Sequence, residues 1–502
     1  MENKNYDIIV IGSGIGGLGT AAILTHNGYS VLVLEKNDRI GGACSSYTKQ
    51  GFTIDDGVHI FSEPPSLKAR FGKILRLAGR ATKLGTGIWE SPDLKIVAVS
   101  KTGMIKKGDS EIQESAFGFA APKPSAGKPK PANSEKEKKT NDLPVPKNMM
   151  KVAGAMMGMS KKKLKNLYEE KTDLTSFINQ FTDDKAVHNM FAFMTGVFFT
   201  IPPRMASAAE FIQCMQESAS NMGSGYPIGG AIAIPKAFAK AIEVNGGHVL
   251  TNKPVKKIIL KDNKAVGVEL DDGTEINAKI IVSNADIRNT VNHLVGRSEF
   301  EKEYLEKIDN LISSYAVIGY KFALEEPVIK DMMVINLMED FTPFETDKYD
   351  IDPRDTPLRR VGFFGPIPSN IDSNLAPPGK QLAFFGASVP RKVHDWSKLK
   401  KVFLQDCYEF LPELENKQIF VDISTPLVIE SWIGKKGGPV EGTALTPEQS
   451  GPFRVSSILP IENLYGVGDT CGADTHGIGT QNAADSGIKC AEYILKTHPL
   501  TN

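Results

Sequence analysis

Residues 6–35 read YDIIVIGSGIGGLGTAAILTHNGYSVLVLE, and few folds accommodate such a stretch. Ile8, Ile9, Val10 and Ile11 form a short unbroken apolar run, the pattern of a parallel strand buried on both faces. Gly12, Gly14 and Gly17 follow in G-x-G-x-x-G spacing. A helical stretch runs on to Leu24, Gly28 breaks it, and Val31 to Leu34 make a second apolar run ending in Glu35. Each glycine has a reason for its place. Gly12 permits a tight turn, Gly14 lets the backbone approach a pyrophosphate, and Gly17 lets helix and strand pack closely. The helix N-terminus presents free N–H groups and the positive end of its dipole. Glu35, with Lys36 beside it, lies 21 residues after Gly14, in place to accept hydrogen bonds from a ribose. Ordinary βα turns also carry glycines. Here strand, loop, helix, second strand and acid occur together, and that context specifies a dinucleotide.

A chain of 502 residues exceeds one ordinary core, so two or more domains are expected. The formal net charge is zero, which gives no case for nucleic acid as a partner. Cys44, Cys214, Cys407, Cys471 and Cys490 are scattered without a C-x-x-C. They form neither a disulfide framework nor a zinc site and suit a reducing compartment. The first strand begins within ten residues of the start, and no run of about 18 apolar residues occurs. The expectation is therefore a cytoplasmic protein without signal peptide or spanning helix.

A second glycine turn, Gly41-Gly42, follows the ribose acid, and Gly51 to His59 (GFTIDDGVH) reads as a short strand entering a tight turn. These residues, with Gly12–Gly17 and Glu35, resemble the phytoene desaturase, carotenoid isomerase and retinol saturase branch of the FAD-dependent amine oxidase superfamily. The usual Gly-Gly-Arg of that superfamily is Gly41-Gly42-Ala43 here. The Asp-x-Gly-x-His ending lies closer to the saturase and isomerase side.

From 102 to 147 the composition turns to Pro, Lys, Ser and Ala without apolar periodicity, as in a mobile insertion. Between Lys101 and Lys165 there are 15 lysines against 6 acids. Two readings fit: a solvated insertion followed by a surface helix, or an interfacial element whose lysines meet an anionic membrane surface through residues 101–165. Phe191 to Pro203 is apolar but too short to span a bilayer; it is buried core or the lining of an apolar pocket. Gly229-Gly230 feed an amphipathic helix, and strands with an Asp-Asp-Gly turn follow between His248 and Ala278, before a strand at 279–285. The resemblance implies that Val255 holds the adenine through its backbone and that Ser283-Asn284-Ala285 lies beside the cofactor. Runs at 316–324, 333–337, 360–364 and 381–389 are separated by loops, implying a mixed or antiparallel sheet distinct from the first. Trp396 to Leu411 reads as a helix closing that region.

The last strong signal is NLYGVGDTCGADTHGIGTQNAADSGIKCAEYIL. A strand ends at Gly468-Asp469, and a glycine-spaced loop enters a helix near Gln481. The resemblance implies that Asp469 binds the ribityl or pyrophosphate portion, and that Gly479, Thr480 and Gln481 lie near the pyrimidine edge of the flavin. The two glycine loops together specify FAD rather than NAD.

The expected fold is α/β. A Rossmann-like FAD-binding domain, parallel sheet plus β-meander, comprises residues 1–68, 225–296 and 451–502. An inserted α+β substrate domain of mixed or antiparallel sheet and helices comprises 69–224, with the basic insertion at 102–147, and 297–450. The resemblance implies hydride transfer by the flavin to or from C–C or C=C bonds of a long apolar isoprenoid, in a desaturase, saturase or isomerase. Quinone, oxygen or a carrier protein would exchange the electrons. His59 and His476 are the candidate catalytic histidines, each able instead to bond a carbonyl in its own turn. Asp55 and Asp56 are candidate proton carriers or turn caps, and Arg204 is a candidate near the substrate entrance. Two other functions share the fold. One is an amine oxidase, which needs an aromatic cage that only Tyr465 approaches here. The other is a non-enzymatic prenyl-binding protein resembling Rab GDP-dissociation inhibitors, in which intact flavin loops would be unnecessary.

Overall fold

A computed structural model describes residues 5–57, 59, 61, 70–84, 88–99, 104–107, 110–113, 148–221, 225–337, 341, 344, 362–389 and 396–500. The strand β1 (Tyr6–Ile11) is central. It pairs in parallel with β2 (Val31–Leu34) on one side and with Glu275–Ser283 on the other. His248–Leu250 extends the sheet beyond β2, and Leu464–Gly466 pairs in parallel alongside Ile281 to Ser283. Ile8, Ile9 and Val10 are fully buried, which is why the strand reads as a continuous apolar run rather than an alternating one.

Sequence patterning separates residues 274–278 from 279–285, but the structure joins them into one strand. The first part of Glu275–Ser283 pairs antiparallel with Lys264–Leu270, and its end pairs in parallel with β1. Continuous alternation through Ala278 hides the change of partner. The strand thus carries the meander (255–261, 264–270) and the parallel sheet in one seven-stranded sheet.

Helix α1 (Ile15–His26), the helix Ala233–Val244 and the helix Thr480–Thr497 cover one face of this sheet, in a core with Val10, Leu18, Phe238 and Ile488. Residues 15–25 of α1 are all buried, so α1 is a core helix, apolar on every side. The helix Arg70–Leu77 places Phe71, Ile74 and Leu75 in the same core. These residues follow the 1–68 segment directly, yet they pack with it rather than with the helices further along.

The second sheet is mixed, in the order 418–424, 316–324, 381–389, 363–366, 333–337, 104–107, 110–113. All its pairings are antiparallel except 333–337 with 104–107. One face is covered by the helix Trp396–Phe410, around Tyr320, Phe322 and Phe385. The other face meets Phe52, Ile54 and Tyr226. A separate helical core gathers 149–157, 161–169, 174–179, 185–198 and 208–221. Met149, Val152, Met156 and Leu164 point into it. These four side chains are covered by protein, while Met150 is 57% exposed; Lys161, Lys162, Lys163 and Lys165 face solvent. Of the insertion at 102–147, expected to be mobile, residues 104–107 and 110–113 are instead strands of the second sheet, held by the pairing of 104–107 with 333–337; 114–147 lies outside the described residues, as do Arg360 and Val361. No helix among the described residues is long and apolar enough to cross a membrane.

Candidate functional site

The cradle begins where β1 ends. Gly12 has φ +89°, and its N–H donates to the Leu34 carbonyl at 2.8 Å, turning the chain toward α1. A Cβ on Gly14 would lie 2.4 Å from Asn284 Nδ2, and one on Gly17 would lie 2.5 Å from the Gly12 carbonyl oxygen. The spacing is thus a packing requirement as well as a turn. Asn284 Oδ1 accepts from the Gly17 N–H at 3.0 Å, which ties the glycine loop to the end of the neighbouring strand. Glu35, 4% exposed, accepts from Ser13 N–H and Ser13 Oγ at 2.8 and 2.6 Å through one oxygen, and from Asn37 N–H at 2.9 Å through the other. Its remaining lone pairs are available to a ligand. Gly41, at φ +109°, donates its N–H to the Ser13 carbonyl. Trp432 Nε1 donates to the Gly42 carbonyl at 3.0 Å, and Lys36 Nζ to the Ser431 carbonyl at 3.1 Å.

The closing loop arrives beside the first through glycines. A Cβ on Gly16 would lie 2.8 Å from Gly468 N, and one on Gly487 would lie 2.5 Å from the Gly16 carbonyl oxygen. Thr20 Oγ1 donates to the Gly487 carbonyl at 3.1 Å. These small residues let α1 and the helix 480–497 approach backbone to backbone, so both glycine loops open on one space. Gly468 N–H donates to Ser486 Oγ, and Asp469 accepts from Lys435 Nζ and from Gly442 N–H. Burial raises the Asp469 pKa, but the Lys435 ammonium and the backbone N–H donors, Gly442 among them, together outweigh it and hold the carboxyl below its ordinary value. Gly479, at φ +46°, caps the helix that Thr480 and Gln481 open, and its N–H donates to Glu441 at 3.0 Å. Glu210 fixes the loop from behind, accepting from Gly477 N–H at 2.8 Å.

A cavity of about 600 Å³ is lined from Gly12, Gly14, Glu35, Lys36, Gly41, Gly42 and Val255 through to Gly468, Asp469, Gly479, Thr480 and Gln481. Of the candidate cofactor residues, only Gly17 does not line it; Gly17 serves packing. The cavity continues between phenylalanines, Phe193, Phe198, Phe341, Phe344, Phe363 and Phe384. His59 stacks on Phe384 at 3.5 Å between ring centroids and 20° between planes. Burial, then the charge of Lys321, hold the His59 pKa well below its ordinary value, so the ring is neutral.

Two candidate catalytic residues fall elsewhere. Asp55 lies off the cavity lining, with its carboxylate bonded by Ser46 Oγ, Tyr226 OH and the Ala231 N–H. Its turn needs a buried acceptor for strands 46–49 and 52–55 and the 229–231 loop. His476 is also outside the lining, held by Glu217 at 3.0 Å and beside Arg70. The glycine-spaced loop turns its ring toward the helix 208–221 instead of the cavity. Asp56 is paired with Arg39, and Tyr465 packs in the core with its hydroxyl on His498. Asn284, Glu441 and Lys435 complete the cavity wall. Spacing alone carries no signal for Glu441 or Lys435.

The donor set fits FAD. Glycines leave room for backbone to approach phosphates, a buried carboxylate stands at the ribose position, and a second helix N-terminus faces the same space. Among the described residues, no group of three or more His, Cys, Asp or Glu could hold a metal.

The profile of the flavin containing amine oxidoreductases matches residues 15–495. The chain is 25% identical to all-trans-retinol 13,14-reductase of Danio rerio, over 98% of this chain and 86% of that one. It is 26% identical to the chloroplastic prolycopene isomerase of Daucus carota, over 98% of this chain and 80% of that one. The crystal structure of an oxidoreductase from Methanosarcina mazei superposes with a TM-score of 0.65, at 19% identity, over 97% of this chain and 99% of that one. Matched by the family profile along nearly its whole length and carrying both halves of the cradle, the chain belongs to the flavin-containing amine oxidoreductases, an FAD-dependent oxidoreductase.

Proposed function

We propose that this enzyme acts on C–C or C=C bonds of a long apolar isoprenoid of carotenoid or retinoid type. One observation carries the reading: the cavity that begins at the FAD cradle ends between phenylalanines. Bound FAD supplies hydride transfer at its ring, and the protein's part is to bind, orient and keep water out. Phe193, Phe198, Phe344 and Phe363 offer a polyene dispersion contact and edge-to-face packing without a charged group to solvate. Thr200 and Ser388 are hydroxyl-bearing residues beside them. His59, neutral and stacked on Phe384, is a side chain in the lining that can take a proton released at a substrate carbon. The relatives named for a retinol reductase and a prolycopene isomerase support this substrate class, while their two reactions differ in net redox change. Amines would instead call for an aromatic cage, and Tyr465, the residue nearest to one in sequence, lies in the core.

Anaerobic mixing with retinoids and carotenoids, followed by flavin absorbance and product analysis, tests the reading. Reoxidation of reduced enzyme marks a saturase, bleaching of oxidised enzyme a desaturase, and altered geometry without net redox an isomerase. Turnover of amines with no response to any polyene would sink the proposal.

A further inference from the structure

Residues 426–438 form a loop that starts and ends at one place and reaches the cofactor cavity between. The loop leaves the strand Gln418–Ser424 through Thr425 and returns to the same sheet at Pro439, which bridges to Ala316. Its two ends touch: a Cβ on Gly438, which has φ +55°, would lie 2.2 Å from the Pro426 carbonyl oxygen. It is also bonded within itself, Glu430 Oε2 accepting from the Gly437 N–H at 2.8 Å. It has no share in the hydrophobic cores. Leu427 and Val428 are 56% and 51% exposed, Pro426 is the only buried residue of the helix Pro426–Ile433, and no apolar side chain of that helix belongs to a core cluster.

Trp432, Ile433, Gly434 and Lys435, at the tip, line the cavity, and polar contacts hold them there. Trp432 Nε1 donates to the Gly42 carbonyl at 3.0 Å, Asn37 Nδ2 to the Trp432 carbonyl at 2.9 Å, and Lys36 Nζ to the Ser431 carbonyl at 3.1 Å. Arg39 Cζ lies 4.2 Å from the centroid of the Trp432 ring. Lys435 pairs with Asp469. The loop therefore joins the Glu35 half of the cradle to the Asp469 half, while both of its ends are rooted in the other sheet. We propose that residues 426–438 are a lid that swings on its adjoining ends to admit and release FAD, with Trp432 as its latch. A segment with few buried apolar contacts, held by hydrogen bonds near the surface, opens at low local free energy. Compact loops whose ends adjoin commonly carry function, and a lid over a cofactor site gates exchange by its opening.

The inference rests on FAD as cofactor, and the test separates the two. Trp432→Phe keeps a ring for Arg39 and removes the N–H bonded to Gly42. Asn37→Ala removes the side-chain bond to the Trp432 carbonyl and keeps the backbone N–H that Glu35 accepts. Stopped-flow flavin fluorescence gives the rates at which FAD enters apo-protein and leaves holo-protein. Loss of one latch bond should raise both rates roughly fivefold in either variant. The latch closes the lid over an empty and a filled cavity alike, so the dissociation constant should stay within about twofold of the wild type. Faster release with unchanged entry would make these residues ordinary cofactor contacts and overturn the lid, as would unchanged rates in both variants. A wild type that binds no FAD would overturn the cofactor and the lid together.

Discussion

Replacing Gly17 with alanine tests whether the glycine spacing is a packing constraint. The new methyl would meet the Gly12 carbonyl oxygen at 2.5 Å, Asn284 Cβ at 3.0 Å and Val10 Cγ1 at 3.1 Å. None of these is the loose end of a long side chain. The Gly12 carbonyl belongs to a turn whose N–H is tied to Leu34, and Asn284 is held by its bond to Gly17 itself. The contact must open by roughly 0.9 Å to reach ordinary van der Waals distance. Helix α1 has little room to retreat, because Gly16 already touches Gly487 and Gly468 on its far side. Overpacking of this kind costs about 1–3 kcal/mol. Movement of α1 also lengthens the 3.0 Å bond from Gly17 N–H to Asn284 and displaces the helix N-terminus from the phosphates, weakening FAD binding about tenfold or more. The matched control is Gly154→Ala, in the exposed middle of the helix Met149–Met157, where a methyl meets nothing within 4 Å. There the same chemical change should stabilise by about 0.5–1 kcal/mol. Denaturant midpoints by circular dichroism and FAD titration measure both. Unchanged midpoint and FAD affinity in Gly17→Ala would refute the packing argument.

Three further expectations follow from the site. His476→Ala should leave the rate of flavin reaction with substrate within about twofold, since its ring is engaged with Glu217 outside the cavity; a rate loss of orders of magnitude would return it to the active site. Lys435→Met strands the buried Asp469 carboxylate and should cost about 3–5 kcal/mol, much of it recovered in Lys435→Met/Asp469→Asn. Because the folded Asp469 pKa is depressed, that loss is full at neutral pH and shrinks in acid as the carboxyl protonates, which thermal melts across pH would show. Lys321, 2% exposed, has its pKa lowered by burial to about 8. The unfolded chain therefore holds a proton that the folded chain has lost from about pH 8 to about pH 10, so stability should rise with pH across that window. Lys321→Met should flatten the rise, and an unchanged pH slope in the variant would count against it.

Much of the first sheet was legible because its signals are local. Ile8–Ile11 is buried on both faces, so its apolar run needs no long-range knowledge to read as a strand. Gly12, Gly14, Glu35, Gly468 and Asp469 mark their own turns. The strand Gln418–Ser424 gave no such mark: every residue in it is half-buried, so neither alternation nor an unbroken apolar run appears. The seven-residue meander strand Val255–Lys261 was legible despite similar exposure, because Lys-Lys and a following turn frame it. Glu441 and Lys435 were illegible for a different reason. Their roles come from Asp469 and Gly479, about 30–40 residues away in sequence, and a buried acid in a loop looks like any surface acid until its neighbours are known.

His59 shows where local reading stops. The motif Asp-x-Gly-x-His marked it as a candidate, and the cavity lining includes it, but its environment is made by the other sheet. Phe384 lies flat against His59 only because two strands leave a slot for its ring. A Cβ on Gly319 would come within 2.7 Å of that ring and one on Gly386 within 2.8 Å. Those glycines sit inside strands Ala316–Leu324 and Gln381–Val389, where glycine weakens a strand and marks a close approach. Read alone, each is a poor strand residue; read together across the 316–324/381–389 pairing, where Gly319 faces Gly386 in register, they form a seat. The seat carries the phenylalanine, the phenylalanine holds the imidazole, and the imidazole lines the cavity. The pairing of two distant glycines, more than the histidine motif itself, is what sets the position of His59 in the cavity lining.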